Sequence, residues 1–92
     1  MKPQILIVDD ESSFRELYKV TLEEGGFRTI VAANAEEALA SLEANEVALV
    51  VSDVRMPGAS GLELLKAARE KHDGLPFLLV TAYADVRDAV LA

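Results

Sequence analysis

Three uninterrupted apolar runs punctuate the chain: Ile5-Leu6-Ile7-Val8, Val47-Ala48-Leu49-Val50-Val51 and Phe77-Leu78-Leu79-Val80. Continuous β-branched and aliphatic runs of this length suit strands buried on both faces, as in a parallel sheet. A fourth segment, residues 27–32, is mixed but rich in strand formers. Between these runs the apolar residues recur at helical spacing. Phe14, Leu17, Tyr18 and Leu22 form one set, behind a Ser13-Phe14-Arg15-Glu16 segment with capping-box spacing and ahead of a Gly25-Gly26 stop. Ala38, Leu39 and Leu42 form a second, with Asn34 as N-cap and Glu37 three residues on. A third helix is predicted over 62–71, with Leu62, Leu65 and Ala68 or Arg69 on related faces, closed by the turn Asp73-Gly74-Leu75-Pro76. Asp85 is placed to cap a fourth helix from about Val86, and the sequence reaches Ala92 before that helix completes two turns.

Strands alternating with helices predict a parallel sheet covered on both faces, a doubly wound α/β fold. With 92 residues, the chain has room for one domain. That fold class hosts many functions, so function has to be read from the strand ends.

Composition narrows the choice. Nine Lys and Arg stand against sixteen Asp and Glu, a formal net charge of −7, with no basic run and no aromatic stacking platform. Such a surface repels phosphate backbones and argues against direct nucleic-acid binding. The absence of cysteine excludes disulfides, thiolate metal sites and thiol nucleophiles. The first apolar run is four residues long and is followed at once by two aspartates, too short for a signal peptide or a membrane span. A cytoplasmic location is the expectation.

In open α/β sheets the binding crevice lies beyond the carboxyl ends of the strands. There the chain places Asp9, Asp10 and Glu11, then Asp53, then Thr81. If the first, third and fourth strands are neighbours, several carboxylates and a hydroxyl converge. Like charges so close raise one another's pKa, and a divalent cation relieves the repulsion. Carboxylates, a backbone carbonyl and water are hard oxygen ligands, suited to Mg²⁺ rather than Zn²⁺. Such a site also handles phosphoryl groups, with a carboxylate as nucleophile. Taken singly, each residue has a plainer reading. Asp10 or Ser12 could cap the next helix, Asp53 could form a turn, and His72 could be a solvated residue at a helix end. Glu63, Lys66, Arg69 and Glu70 read as an exposed helix face. It is the combination that points to chemistry.

The chain resembles the receiver domains of two-component response regulators. The resemblance rests on Ile5-Leu6-Ile7-Val8-Asp9-Asp10-Glu11, on Val50-Val51-Ser52-Asp53-Val54-Arg55-Met56-Pro57-Gly58 with Gly61, and on Leu79-Val80-Thr81-Ala82. The segment from Asp53 to Gly58 also resembles receivers of NtrC-type regulators, which drive an AAA+ transcriptional activator. The resemblance implies a flavodoxin-like sheet and a phosphoacceptor, Asp53, loaded by a sensor histidine kinase. It implies Mg²⁺ bound by Asp10, Asp53 and the backbone carbonyl of Arg55, with Asp9 acting through water. Thr81 would bind the phosphoryl oxygen and switch, Ala82 would leave the site open, and Pro57, Gly58 and Gly61 would shape the loop and the start of the third helix. A separate output domain is a further implied partner.

The family continues with a fifth strand and a fifth helix. Its lysine lies at the end of that fifth strand, and none of Lys2, Lys19, Lys66 or Lys71 matches it. The expectation is therefore a receiver domain over 1–92, truncated within the fourth helix, with the edge of the fourth strand bare and prone to self-association or element swapping. Two other readings compete: a receiver-fold interaction module without a working switch, and a haloacid-dehalogenase-type phosphotransferase. The latter would need Asp-x-Asp after the first strand, where this chain has Asp9-Asp10-Glu11.

Overall fold

A computed structural model describes residues 3–54 and 60–80, together with the backbone of 90–91. The apolar runs become strands β1 (Gln4–Val8), β3 (Leu49–Asp53) and β4 (Phe77–Val80), and the mixed segment becomes β2 (Arg28–Ala32). Helices α1 (Ser12–Glu24), α2 (Ala35–Ala44) and α3 (Gly61–Arg69) alternate with them. β1 pairs in parallel with both β2 and β3, and β3 pairs in parallel with β4. The four parallel strands thus lie in the order β2-β1-β3-β4, the flavodoxin-like doubly wound arrangement.

Burial explains why β1 and β3 read as unbroken apolar runs. Both are interior strands, and Leu6, Ile7 and Val50 have no solvent exposure. Successive residues of a strand point to opposite faces. On one face Leu6, Val8, Val50, Phe77 and Leu79 pack with Ala35, Ala38 and Leu42 of α2 and with Leu64 and Ala68 of α3. Ile5, Ile7 and Val51 occupy the alternate positions, and α1 packs over β1 and β2. None of the α1 residues is fully buried.

The helix starts show which local signals prevailed. Asn34 caps α2 by accepting from the Glu37 N–H at 2.8 Å, and Glu37 Oε1 accepts from the Ala33 N–H at 3.0 Å. Substitution Asn34→Ala is expected to cost about 1 kcal/mol, read as a lower urea midpoint at unchanged slope. The Ser13–Glu16 capping box does not form. Glu11 is the N-cap of α1, without a side-chain cap bond, so the helix starts too early for Ser13 to serve. The capping box is instead at α3, where Ser60 and Glu63 exchange bonds. At the other end of α1, Gly26 takes φ 93°, as a helix stop requires.

The largest departure is at the sheet edge. A helix was expected through residues 90 and 91, but Val90–Leu91 is a fifth strand, β5, antiparallel to β4. The expected edge is therefore partly covered. The remainder of that expected helix, residues 86–89 and 92, lies outside the described residues. An apolar, uncharged edge strand explains the difference, because backbone groups on it take an available partner. Among the described residues, no helix is long and apolar enough to cross a membrane.

Candidate metal and phosphoacceptor site

Parallel pairing in register carries the carboxyl ends of β1 and β3 to one rim of the sheet. Val8 lies beside Ser52, which brings Asp9 and Asp53 next to each other. Asp9, Asp10 and Asp53 each offer a carboxylate oxygen, and these oxygens lie within 4.8 Å of one another. Asp9 and Asp53 are buried, at 3% and 5% exposure, whereas Asp10 is exposed. Two buried carboxylates beside an exposed third form a pocket open on one side. Hard oxygen ligands in that number suit a small divalent cation that keeps part of its water shell.

Asp9 is fixed from three directions. Its N–H donates to the Ala32 carbonyl at 3.1 Å, which ties it to β2. Its Oδ1 accepts from the Glu11 N–H at 2.9 Å, and its carbonyl accepts from Arg15 Nη1 at 2.7 Å. Burial pushes the Asp9 carboxyl above the ordinary value of 3.8; the Glu11 N–H opposes this, while the charges of Asp53, Asp10 and Glu11 add to it. Tyr18 on α1 feels the same site: burial, then Asp9 and Asp53, raise its phenol.

Asp53 ends β3 at a junction built from backbone. The Val54 N–H donates to the Val80 carbonyl at 2.7 Å, and Ser52 Oγ donates to the Asp53 carbonyl at 3.0 Å. The Gly61 N–H donates to the Val54 carbonyl at 2.9 Å, which clamps the start of α3 to the strand end. Gly61 was expected to shape the loop and the start of the third helix; it is the first residue of α3, and it does not adopt a positive φ. Its role is close approach. A Cβ there would overlap the Asp53 carbonyl oxygen and lie 3.1 Å from both the Asp53 carbonyl carbon and Ser52 Oγ.

The structure thus gathers Asp9, Asp10, Asp53 and Gly61 of the sequence-derived site. Arg55, Pro57, Gly58, Thr81 and Ala82 lie outside the described residues. Sequence reasoning missed two contributors, Arg15 and Ser60. The Ser60-Gly61-Leu62-Glu63 spacing held the signal for the second. No local signal marks Arg15, whose partner is a backbone carbonyl six positions away. Arg69, read as part of an exposed face, is half-buried. A cavity of about 390 Å³ lined by Leu42, Val47, His72, Leu75 and Pro76 sits by the opposite, amino-terminal ends of β3 and β4, away from the acids.

A doubly wound parallel sheet with three carboxylates at the carboxyl ends of its interior strands defines a class: α/β domains that present an acid pocket able to hold a cation. Residues 5–92 match the response regulator receiver domain, and the chain belongs to that family. It is 40% identical over 90 residues to the C4-dicarboxylate transport transcriptional regulatory protein DctD of Rhizobium meliloti, a match covering 98% of this chain and 20% of that protein. It is 38% identical over 88 residues to the DNA-binding transcriptional regulator NtrC of Salmonella typhimurium, covering 96% of this chain and 19% of that one. The chain spans about a fifth of the length of these curated relatives. Among solved structures, the response regulator TrrA of Thermotoga maritima in complex with Mg²⁺-BeF is 44% identical with a TM-score of 0.85, over 91% of this chain and 72% of that chain. A complex of histidine kinase ThkA with TrrA matches with a TM-score of 0.84 at the same 44% identity, over 95% of this chain and 74% of that chain.

Proposed function

We propose that this receiver domain accepts a phosphoryl group on Asp53 from the phosphohistidine of a sensor histidine kinase, with Mg²⁺ in the acid pocket. The observation that carries this reading is the buried Asp53 carboxylate at the end of β3, grouped with Asp9 and Asp10 within 4.8 Å. An Asp53 carboxylate oxygen attacks phosphorus as the histidine N–P bond breaks. The bonding pair returns to the imidazole nitrogen, and an acyl phosphate results. Bound Mg²⁺ would neutralise charge on the phosphoryl oxygens and on the carboxylates around them.

Asp10 and Asp53 are the direct ligands in this reading, with the Arg55 carbonyl, and Asp9 acts through water. Asp9, held by Glu11 and Arg15, fixes the geometry of the pocket. Thr81 takes a phosphoryl oxygen, beside the small Ala82. Pro57 and Gly58 shape the loop after Asp53. Gly61 lets α3 seat against the Asp53 backbone. The kinase complex of TrrA supports a histidine kinase as partner. The names of DctD and NtrC support an output domain acting in transcription, and with it a cytoplasmic setting.

The test is incubation with acetyl phosphate and Mg²⁺, followed by intact mass. The unaltered chain gains one phosphoryl group, while Asp53→Asn gains none and omission of Mg²⁺ blocks the gain. Equal labelling of Asp53→Asn would move the acceptor elsewhere, and no labelling of either protein would overturn the reading for this chain.

A further inference from the structure

The link from β1 to α1 is three residues long: Asp9, Asp10 and Glu11. Asp10 is the exposed member of the acid group, so its carboxylate takes its place from the backbone that carries it. Two peptide groups flank that residue. The one after it is held by Asp9 Oδ1, which accepts from the Glu11 N–H at 2.9 Å. The one before it is held from the helix, where Arg15 Nη1 donates to the Asp9 carbonyl at 2.7 Å. A bond of that length from a charged donor is of the stronger kind. Arg15 is half-buried on α1, and its own N–H donates to the Glu11 carbonyl at 3.1 Å. One residue thus grips both ends of the link, by its backbone at Glu11 and by its side chain at Asp9.

We propose that Arg15 is a positioning residue for Mg²⁺: its guanidinium fixes the peptide group ahead of Asp10, and with it the direction from which the Asp10 carboxylate meets the ion. This role rests on the reading of Asp9, Asp10 and Asp53 as a Mg²⁺ site. Mg²⁺ demands near-octahedral geometry at short distances, so a ligand free to swing is a poor one. Groups that orient the ligands of a metal therefore weigh heavily on its affinity. The sign of the effect separates positioning from simple electrostatics. A cation near three carboxylates opposes the entry of a second cation, so charge alone predicts that loss of Arg15 tightens Mg²⁺ binding. Positioning predicts that it weakens. Positioning wins because the Arg15 charge is only half-buried and is screened by water and salt, whereas its bond acts on the peptide group adjoining the ligand.

The experiment is calorimetric titration of the metal-free chain with Mg²⁺. Arg15→Met keeps an unbranched stem and loses the donor, whereas Arg15→Lys keeps a charged donor. Arg15→Met binds Mg²⁺ about tenfold more weakly or worse, and Arg15→Lys recovers most of the affinity. Lys19→Met removes a charge from the next turn of the same helix, where Lys19 pairs with Glu23, and binds no more weakly than the unaltered chain. In acetyl phosphate labelling, Arg15→Met needs a correspondingly higher Mg²⁺ concentration for half its maximal rate and approaches the unaltered rate at saturation. A general loss of structure would lower that maximum instead. An Arg15→Met protein that binds Mg²⁺ as tightly as the unaltered chain, or more tightly, would overturn the proposal. So would an Arg15→Lys protein as weak as Arg15→Met, or an Arg15→Met protein that melts before it can be titrated, which would give Arg15 a role in the fold itself. An unaltered chain that takes up no Mg²⁺ would overturn the metal reading of the pocket, and the role of Arg15 with it.

Discussion

Gly61→Ala is expected to destabilise the domain by about 3 kcal/mol, the upper range for overpacking, and to lower phosphoryl uptake by at least about tenfold. Helix propensity alone predicts the opposite sign, since alanine is favoured over glycine within a helix by about 1 kcal/mol. Packing wins because the added methyl would overlap the Asp53 carbonyl oxygen, a backbone atom that cannot rotate away. Relief requires separating α3 from β3. That strains the Gly61 N–H bond to the Val54 carbonyl, directly after the acceptor. Thermal melting and acetyl phosphate labelling measure the two effects. Gly74→Ala is the control: φ is 85°, nothing lies within 4 Å of the added carbon, and the site is remote. It costs about 1 kcal/mol and leaves labelling unchanged. A Gly61→Ala protein that melts like the unaltered chain would show that the junction relaxes without cost.

Asp9→Asn is expected to stabilise the metal-free domain at neutral pH and to remove part of its pH dependence. Burial, reinforced by neighbouring acids, holds the Asp9 carboxyl above 3.8. Between the unfolded and the raised folded value, the native state binds more protons than the unfolded chain. The Asp9 contribution is therefore most favourable below about pH 3.8 and is lost as pH rises through the folded value. Asparagine has no such titration, yet its amide oxygen still accepts from the Glu11 N–H. Melting temperatures of the two proteins should converge towards pH 3.8 and separate above it, with the variant higher. Adding Mg²⁺ at pH 7 should raise the unaltered chain more than the variant, because a cation offsets the same repulsion. A variant less stable than the unaltered chain at pH 7 without metal would show that the Asp9 charge is satisfied by the fold.

Much of the architecture was legible because parallel strands and cappable helices leave local traces. β1, β3 and β4 are interior or nearly so, and burial on both faces writes an unbroken apolar run. Asn34 and Glu37 sit three apart, the distance at which a side chain reaches the backbone of its own first turn. The same rule misled at Ser13 and Glu16. There Glu11 had already become the N-cap and Asp9 Oδ1 had taken the Glu11 N–H. Spacing cannot tell which of two neighbouring candidates starts a helix when tertiary contacts fix the preceding loop. β5 was illegible for a related reason. Asp85 and the residues after it favour a helix locally, whereas the pairing of Val90–Leu91 depends on a strand edge that lies more than ten positions back.

By itself, the sequence determined the alternation of strands and helices, the acids at their carboxyl ends and the kind of chemistry those acids suit. These are matters of residue type and short spacing. Tertiary structure alone decided that Asp9, Asp10 and Asp53 meet within 4.8 Å, since that needs β1 and β3 to pair in one register. It decided that Gly61 serves a close approach and not a turn, because the obstacle is the backbone of a residue eight positions away. It also decided that Val90 and Leu91 pair with part of the β4 edge. Each of these depends on atoms brought together across sequence distance, and local propensity carries no record of such contacts.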